Sequence, residues 1–224
     1  MLPELLVTDF AGTVMREDGA VLTAYRQALT AHAIPFTEDD IAARRGASKR
    51  AVFRELAART AAPDTLVLAE RALAAFEATL RQEYERGPVE EVAGAAAALL
   101  RLRGAGVKLA LTSGFERGLL DLLVGRLGWE ELFDVTLAGN DAPAGRPAPF
   151  LIYRAMQDLN IHDVARVAVI GDTPLDLQAG QNARAGWVIG VLSGAHGLAT
   201  LGATPHTQLL TSVAALPALF GLEK

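Results

Sequence analysis

The chain has 224 residues, a formal net charge of −5 at pH 7 and no cysteine. Its acidic balance, without any block or stripe of basic residues, argues against nucleic acid as a partner. The lack of cysteine excludes disulfides, thiolate nucleophiles and metals held by cysteine. The N-terminus has neither a basic leader nor a long apolar run, so we expect a cytoplasmic protein with no membrane span. A monomer and a homodimer both remain open.

The elements predicted along the chain change character twice. Residues 4–10 form a short, largely apolar run bounded by an acid and a turn, which predicts a buried strand. From about residue 20 to residue 86, apolar residues recur every three to four positions, which predicts a series of helices. After the stop signal Gly87-Pro88, apolar strands alternate with helices, a pattern typical of a parallel sheet covered on both faces.

These patterns divide the chain into two parts. Residues 1–15 and 88–224 are predicted to form an α/β core. Residues 16–87 are predicted to form an all-helical insertion after the first strand of that core. The sequence shows no internal repeat and no low-complexity linker between the two.

Polar side chains follow several of the predicted strands, where ligands bind in parallel α/β sheets. Each such residue alone is most simply a helix cap, but together and in this order they indicate a reaction centre. The candidates are Asp9 after the first strand, Thr112, Ser113 and Gly114 after the second, Arg146 in a later loop, and Asp172 and Asp176 after a further strand.

The chemistry of these residues is consistent with phosphoryl transfer. Asp9 can attack phosphorus as a carboxylate nucleophile and form an aspartyl-phosphate. Asp172 would repel Asp9 unless a cation lay between them, and carboxylate oxygens favour Mg²⁺. The Thr112 hydroxyl and the backbone N–H groups near it can hold phosphoryl oxygens, and Arg146 can neutralise developing charge. Asp176 either orients the site or is simply a first-turn acid that favours its helix dipole.

Four segments of the chain, DFAGTV, LTSG, GRPAP and GDTPLD, occur in this order and span almost its whole length. They resemble the four motifs of the haloacid dehalogenase-like (HAD) hydrolases, and the helical insertion resembles the cap domain of that superfamily. The resemblance implies a HAD-like Rossmannoid α/β core with a parallel sheet. It also implies that Mg²⁺ is held by the Asp9 carboxylate, the Ala11 main-chain carbonyl and Asp172.

Ala11 departs from the phosphatases of this superfamily, which usually carry a second aspartate there as general acid and base. Alanine cannot transfer a proton, so that step needs another group. An alanine at this position is characteristic of the phosphonatase branch, the phosphonoacetaldehyde hydrolases, which cleave a P–C bond after a cap lysine forms a Schiff base with the substrate aldehyde. Lys49 matches the Gly-x-x-Lys pattern of that branch, and Arg146 matches its preference for arginine in the third motif.

The surroundings of Lys49 favour a reactive amine. Ser48 is predicted to cap a helix that places Lys49 and Arg50 in its first turn, with Arg44 and Arg45 just before this helix. Cations at a helix N-terminus are unfavourable, so we expect this cluster to face an anion. Neighbouring cations would also lower the pKa of Lys49 and favour the neutral nucleophile. The alternative is a solvated basic helix start.

Three positions differ from the phosphonoacetaldehyde enzymes. Val52 and Phe115 stand where that branch has histidine and tyrosine, and Arg45 stands where it has methionine, which suggests a more anionic substrate. We therefore expect a Mg²⁺-dependent, phosphonatase-like hydrolase of a small phosphonate or phosphorylated metabolite. The alternatives are a phosphomonoester phosphatase with a non-standard acid, and a catalytically silent phosphate-binding or interaction protein.

Overall fold

A computed structural model describes residues 1–222 and has a six-stranded parallel sheet at its centre. The strand order is β3-β2-β1-β4-β5-β6. The strands are β1 (Leu5–Asp9), β2 (Lys108–Thr112), β3 (Val135–Leu137), β4 (Val167–Gly171), β5 (Trp187–Val191) and β6 (Gln208–Leu210). The predicted parallel α/β fold is thereby confirmed. Within residues 1–222, no helix combines the length and the apolar character needed to cross a membrane.

Ten α-helices lie along the described part of the chain, with two short 3₁₀ segments at Val164–Arg166 and Val213–Ala215. The helices are α1 (Ala20–Ala31), α2 (Glu38–Ala42), α3 (Lys49–Ala57), α4 (Thr65–Arg86), α5 (Ala95–Gly104), α6 (Arg117–Leu127), α7 (Phe150–Asp158), α8 (Pro174–Ala183), α9 (Leu198–Gly202) and α10 (Leu216–Leu219).

The central strand β1 pairs with β2 on one side and with β4 on the other. Its last residue, Asp9, lies opposite Thr112 in the register with β2. Asp172 directly follows the end of β4, so the pairing brings the ends of three motif-bearing strands together. All five residues of β1 and all five of β4 are buried, as expected for apolar strands covered on both faces.

The helices α1 to α4 form an insertion between β1 and the rest of the sheet. Its interior contains a cluster of three aromatic rings, from Tyr25 of α1, Phe53 of α3 and Phe76 of α4, with centroids 4.6–5.5 Å apart. The chain enters and leaves the insertion side by side. Val92 N donates to Val14 O at 2.8 Å, and Arg16 N donates to the Glu90 carbonyl at 2.9 Å.

The insertion touches the carboxyl-end loops of the core at the start of α3. The backbone N–H of Lys49 donates to the carbonyl of Gly114 at 3.3 Å. A Cβ at Gly114 would approach the Ala47 carbonyl far too closely, so the backbone contact requires a glycine there. The start of α3 is therefore held directly above the strand ends that carry the predicted site.

Candidate active site

Asp9 is positioned by the tight turn that follows β1. The amides of Val14 and Met15 both donate to the carbonyl of Phe10, at 3.0 and 2.9 Å. Gly12 has φ +95°, and a Cβ there would collide with the carboxylate of Asp172. The glycine is thus needed both for the left-handed backbone and for the close approach of the two motifs.

Three buried aspartates lie at the strand ends, and Asp9, Asp172 and Asp176 offer carboxylate oxygens within 4.8 Å of one another. The hydroxyl of Thr13 lies 3.3 Å from Asp9 Oδ2 and 3.1 Å from Asp172 Oδ1, and Ala195 N donates to Asp172 Oδ2 at 2.6 Å. Burial raises the pKa of Asp9, and burial and the Asp9 charge raise the pKa of Asp172 well above its ordinary value.

Such a pair of buried carboxylates fits a hard divalent cation. Each anion disfavours the other, and a cation between Asp9 and Asp172 would favour the ionised form of both. The oxygen-only donor set is the kind that Mg²⁺ prefers. Ala11, whose carbonyl is the third predicted ligand, lines the same cavity as these two carboxylates.

Arg146 joins two of the aspartates. Its Nη1 contacts Oδ1 of Asp9 and Oδ1 of Asp176, and all three side chains are buried. Burial opposes the charge of Arg146, but the Asp176 and Asp9 carboxylates outweigh it and raise its pKa. The other oxygen of Asp176 accepts from the backbone N–H and the hydroxyl of Thr173, at 3.0 and 2.6 Å. Asp176 therefore both completes a capping box at the start of α8 and holds the guanidinium of Arg146.

Lys49 is the first residue of α3 and is only 5% exposed. Its Nζ lies 5.8 Å from the ring centroid of Tyr25 and 5.5 Å from that of Phe115, and it donates to the Ala47 carbonyl at 3.3 Å. No carboxylate within residues 1–222 lies within ion-pair distance of it. Burial, followed by the charge of Arg146, lowers its pKa from 10.5 to about 8. The predicted direction is confirmed, although burial and not the neighbouring cations is the largest cause.

The arginines around Lys49 are paired with carboxylates, which the sequence alone does not predict. Arg45 and Lys49 line the cavity above Asp9, whereas Arg44 and Arg50 are not among its lining residues. The expectation that the whole basic cluster faces an anion is therefore too broad. The ion pairs are Arg44 with Asp40 and Glu55, Arg45 with Glu17, and Arg50 with Glu70 and Glu116.

A cavity of about 90 Å³ is lined by residues of both the core and the insertion. Asp9, Asp172 and Arg146 line it from the core, and Lys49 and Tyr25 line it from the insertion. A molecule in this space can therefore contact a buried carboxylate at one end and a buried amine at the other.

Comparison with known proteins identifies the family. A family model for haloacid dehalogenase-like hydrolases matches residues 3–184. The chain belongs to this family. It is thus a HAD hydrolase, and the sequence resemblance carried by the four motifs is confirmed.

Curated relatives of this HAD hydrolase are phosphonoacetaldehyde hydrolases, so the chain is similar to the phosphonatase-like branch. The enzyme of Parabacteroides distasonis is 34% identical over 108 residues, which cover 47% of this chain and 40% of the relative. That of Syntrophobacter fumaroxidans is 32% identical over 138 residues, which cover 58% of this chain and 49% of the relative. The matched region thus spans less than half the length of either relative.

Solved structures share the complete fold of the HAD hydrolase. A hydrolase from Pseudomonas syringae superposes with a TM-score of 0.85 at 20% identity, covering 99% of this chain and 100% of that one. A phosphonoacetaldehyde hydrolase-like protein from Oleispira antarctica gives a TM-score of 0.80 at 16% identity, covering 98% and 91%. At these identities the likeness concerns the fold alone.

Most of the predicted site residues lie together in the HAD hydrolase, and one is turned away. Ser113 and Gly114 line the main cavity, but the hydroxyl of Thr112 donates to the carbonyl of Thr8 at 3.2 Å. Thr112 lines a smaller neighbouring cavity instead. Its role as a phosphate ligand remains a prediction.

The structure adds residues that the sequence does not single out. Glu17 accepts from Arg45 at 2.8 Å, and it also accepts from the amides of Gly19 and Val21 at the start of α1. Tyr25 reaches the cavity from the same helix. In the sequence, Glu17 looks like an ordinary acid before a helix, and Tyr25 looks like an ordinary residue on an apolar helix face. Helical periodicity does not indicate what lies opposite that face.

Proposed function

We propose that this HAD hydrolase cleaves the carbon–phosphorus bond of a small phosphonate that carries a carbonyl group. The observation that supports this most directly is the shared cavity, which is lined by both the buried Lys49 and Asp9. An amine with a pKa of about 8 is partly neutral near pH 7, and so is able to attack a carbonyl carbon. Phosphonoacetaldehyde, the substrate in the names of the curated relatives, has this chemistry.

In the proposed reaction, Lys49 prepares the carbon side and Asp9 takes the phosphorus side. The neutral amine forms a C–N bond to the carbonyl carbon. The carbonyl oxygen takes one proton from that nitrogen and one from solvent, and leaves as water to give an iminium. Asp9 then attacks phosphorus, and the electron pair of the C–P bond moves into the iminium to give an enamine. Water finally hydrolyses the aspartyl-phosphate. The enamine takes a proton at carbon, and a second water hydrolyses the resulting imine, which releases the carbonyl product and regenerates the Lys49 amine. Because the carbon leaves as an enamine, the leaving group needs no proton at that moment, which is compatible with alanine at position 11.

The remaining site residues would bind and orient the phosphonate. Arg146 Nη2 is buried and has no hydrogen-bond partner among residues 1–222, so it is free to donate to a phosphoryl oxygen. Bound Mg²⁺ would be held by Asp9, the Ala11 carbonyl and Asp172, and would offset the negative charge of the phosphonate. The backbone N–H groups of Ser113 and Gly114 are further proposed contacts, and the substrate is the expected small-molecule partner.

We also propose that residues 16–87 act as a cap domain over a core formed by residues 1–15 and 88–224. Two observations support these bounds: the chain passes between the parts through adjacent segments, and Lys49 reaches the core from the insertion. The cap would then supply the groups that act on the carbon side of the substrate.

The proposal is tested by borohydride trapping and by turnover with Mg²⁺. With phosphonoacetaldehyde, borohydride should attach the substrate carbon to Lys49 in the wild type, and Lys49→Met should lose both the adduct and phosphate release. The lysine-specific control is Lys108→Met, because Lys108 is exposed at the start of β2 and should leave both signals intact. In Asp9→Asn the adduct should still form while phosphate release falls at least about a thousandfold.

Two results would contradict the proposal. Absence of an adduct in the wild type, combined with turnover of a phosphate ester that survives Lys49→Met, would favour the phosphomonoester phosphatase. Absence of turnover on both phosphonates and phosphate esters would favour a silent binding protein.

A further inference from the structure

The insertion contributes a second cation, Arg45, to the lining of the cavity. Lys49 and Glu17 line the same cavity. The guanidinium of Arg45 donates from Nη2 to Oε2 of Glu17 at 2.8 Å, and it has no other partner among residues 1–222. Because a guanidinium carries five N–H donors, most of those of Arg45 remain available to a molecule in the cavity.

The ion pair fixes Arg45 without hiding its charge. Oε1 of Glu17 accepts from the amides of Gly19 and Val21 at 2.9 and 3.1 Å, so this carboxylate is anchored at the start of α1. The side chain of Glu17 is 9% exposed, whereas that of Arg45 is 22% exposed. The more accessible member of the pair is therefore the cation, and an incoming anion can bind to it.

The charge of Arg45 acts on the amine of Lys49. Burial and the charge of Arg146 lower the pKa of Lys49 most, and Arg45 lowers it further. Burial raises the pKa of Asp9, and the charges that change it most are those of Arg146 and Asp176. Arg45 is thus associated with the amine that would receive the carbon of the substrate, and Arg146 with the carboxylate that would receive its phosphorus.

The group attached to the carbonyl carbon is the part of the substrate that Arg45 is placed to recognise. In the proposed reaction that carbon bonds to Lys49 while Asp9 attacks phosphorus. In an aldehyde this group is a hydrogen atom, which offers a guanidinium no acceptor. A carboxylate would accept two N–H donors of a guanidinium side by side, a geometry that arginine provides and lysine does not.

We propose that Arg45 binds a carboxylate carried by the carbonyl carbon of the substrate. The preferred substrate class is then a 2-oxo acid with a phosphonate group on carbon 3. This inference rests on the proposed function and makes Arg45 the residue that selects among carbonyl phosphonates.

The reaction of such a 2-oxo acid follows the same steps. The amine of Lys49 forms an iminium with the keto carbon, and the electron pair of the C–P bond moves into it as Asp9 takes the phosphorus. The enamine is then protonated at carbon 3 and hydrolysed. Overall one water is consumed, and phosphate and a 2-oxo acid without phosphorus are released.

The test uses two carbonyl phosphonates that differ by the carboxylate alone, 3-phosphonopyruvate and phosphonoacetaldehyde. Phosphate release with Mg²⁺ gives kcat/KM for each, and the ratio of the two values is the measured quantity. Taking this ratio within one protein cancels a change in the reactivity of Lys49, because both substrates need that amine.

The variants separate the charge of Arg45 from its role in packing. Arg45→Gln removes the charge but can still donate to Glu17, and Arg45→Lys keeps the charge. The matched control is Arg44→Gln, because Arg44 is also ion-paired but is not a lining residue of the cavity.

We expect the wild type to prefer 3-phosphonopyruvate at least about tenfold, and Arg45→Gln to lower the ratio at least about tenfold, because a charge-assisted contact is lost. Arg45→Lys should retain more of the preference than Arg45→Gln. Arg44→Gln should keep the wild-type ratio.

A ratio in Arg45→Gln within about threefold of the wild type, or an equal fall in Arg44→Gln, would overturn the role of Arg45. So would a wild type that prefers phosphonoacetaldehyde. In either case, turnover of phosphonoacetaldehyde through an adduct at Lys49 would leave the proposed function standing. If the wild type turns over neither substrate, the proposed function fails first and the role of Arg45 fails with it.

Discussion

Lys49→Met is expected to raise the free energy of unfolding at pH 7 by up to about 3 kcal/mol. The wild-type amine is 5% exposed and its pKa falls from 10.5 to about 8 on folding. At about 1.36 kcal/mol per pKa unit, that difference destabilises the folded state by about 3 kcal/mol where Lys49 is charged in the unfolded chain. Methionine keeps a long apolar stem and removes the charge, so the penalty disappears.

The pH dependence of this effect has a definite sign. Between the folded pKa of about 8 and the unfolded value of 10.5, the unfolded chain binds a proton at Lys49 that the folded chain has released. Stability of the wild type therefore rises with pH across that window, and the full penalty is present below it. The gain in free energy of unfolding of Lys49→Met over the wild type should decrease from about 3 kcal/mol at pH 7 to about 1.5 kcal/mol at pH 9.5.

Urea unfolding of wild type and Lys49→Met, at both pH values and with EDTA present, measures this difference directly. Lys108→Met serves as the control, because Lys108 is exposed, and it should change stability by no more than about 1 kcal/mol at either pH. A Lys49→Met variant less stable than the wild type at pH 7 would refute the reasoning. So would a difference between the two proteins that stays constant from pH 7 to pH 9.5.

Mg²⁺ should raise the unfolding temperature of the wild type much more than that of Asp172→Asn, because the variant removes one of the two buried carboxylates that would hold the ion. An equal rise in both proteins, measured by differential scanning fluorimetry, would contradict the assigned ligands. Burial and Arg146 lower the pKa of Lys49, and Asp9 raises it. The Glu17–Arg45 pair should adjust this pKa further, since the Glu17 carboxylate raises it and Arg45 lowers it. The midpoint of borohydride trapping against pH should therefore fall in Glu17→Gln and rise in Arg45→Gln, and shifts of the same sign would contradict this account.

Much of the fold follows from local patterns in the sequence. Residues 167–171 are a continuous apolar run, and the structure buries all of them as β4. The alternation of such runs with helices is sufficient to predict a parallel sheet. The edge strand β6 does not follow in this way, because Gln208–Leu210 has only three residues, which is too short a run for a pattern, and none of them is fully buried.

The site was predictable where motif residues occupy strand ends and not where it depends on long-range pairing. Asp9 and Asp172 could be placed together because each ends an apolar strand. The ion pair of Arg45 with Glu17 joins residues 28 positions apart, and no spacing rule connects them. The Thr112 hydroxyl likewise bonds to the backbone of a neighbouring strand, which depends on the register of β1 with β2.

The paired segments through which the chain enters and leaves the insertion bear on when, during the proposed reaction, the insertion and the core can separate. Asp9 lies on one side of this crossing and Lys49 on the other, so any rotation about it would separate the nucleophile from the amine. In the proposed reaction, the imine fastens the carbon of the substrate to the insertion while its phosphorus is bound by the core. The substrate then links the insertion to the core, and cleavage of its C–P bond breaks this link and allows the cavity between them to open.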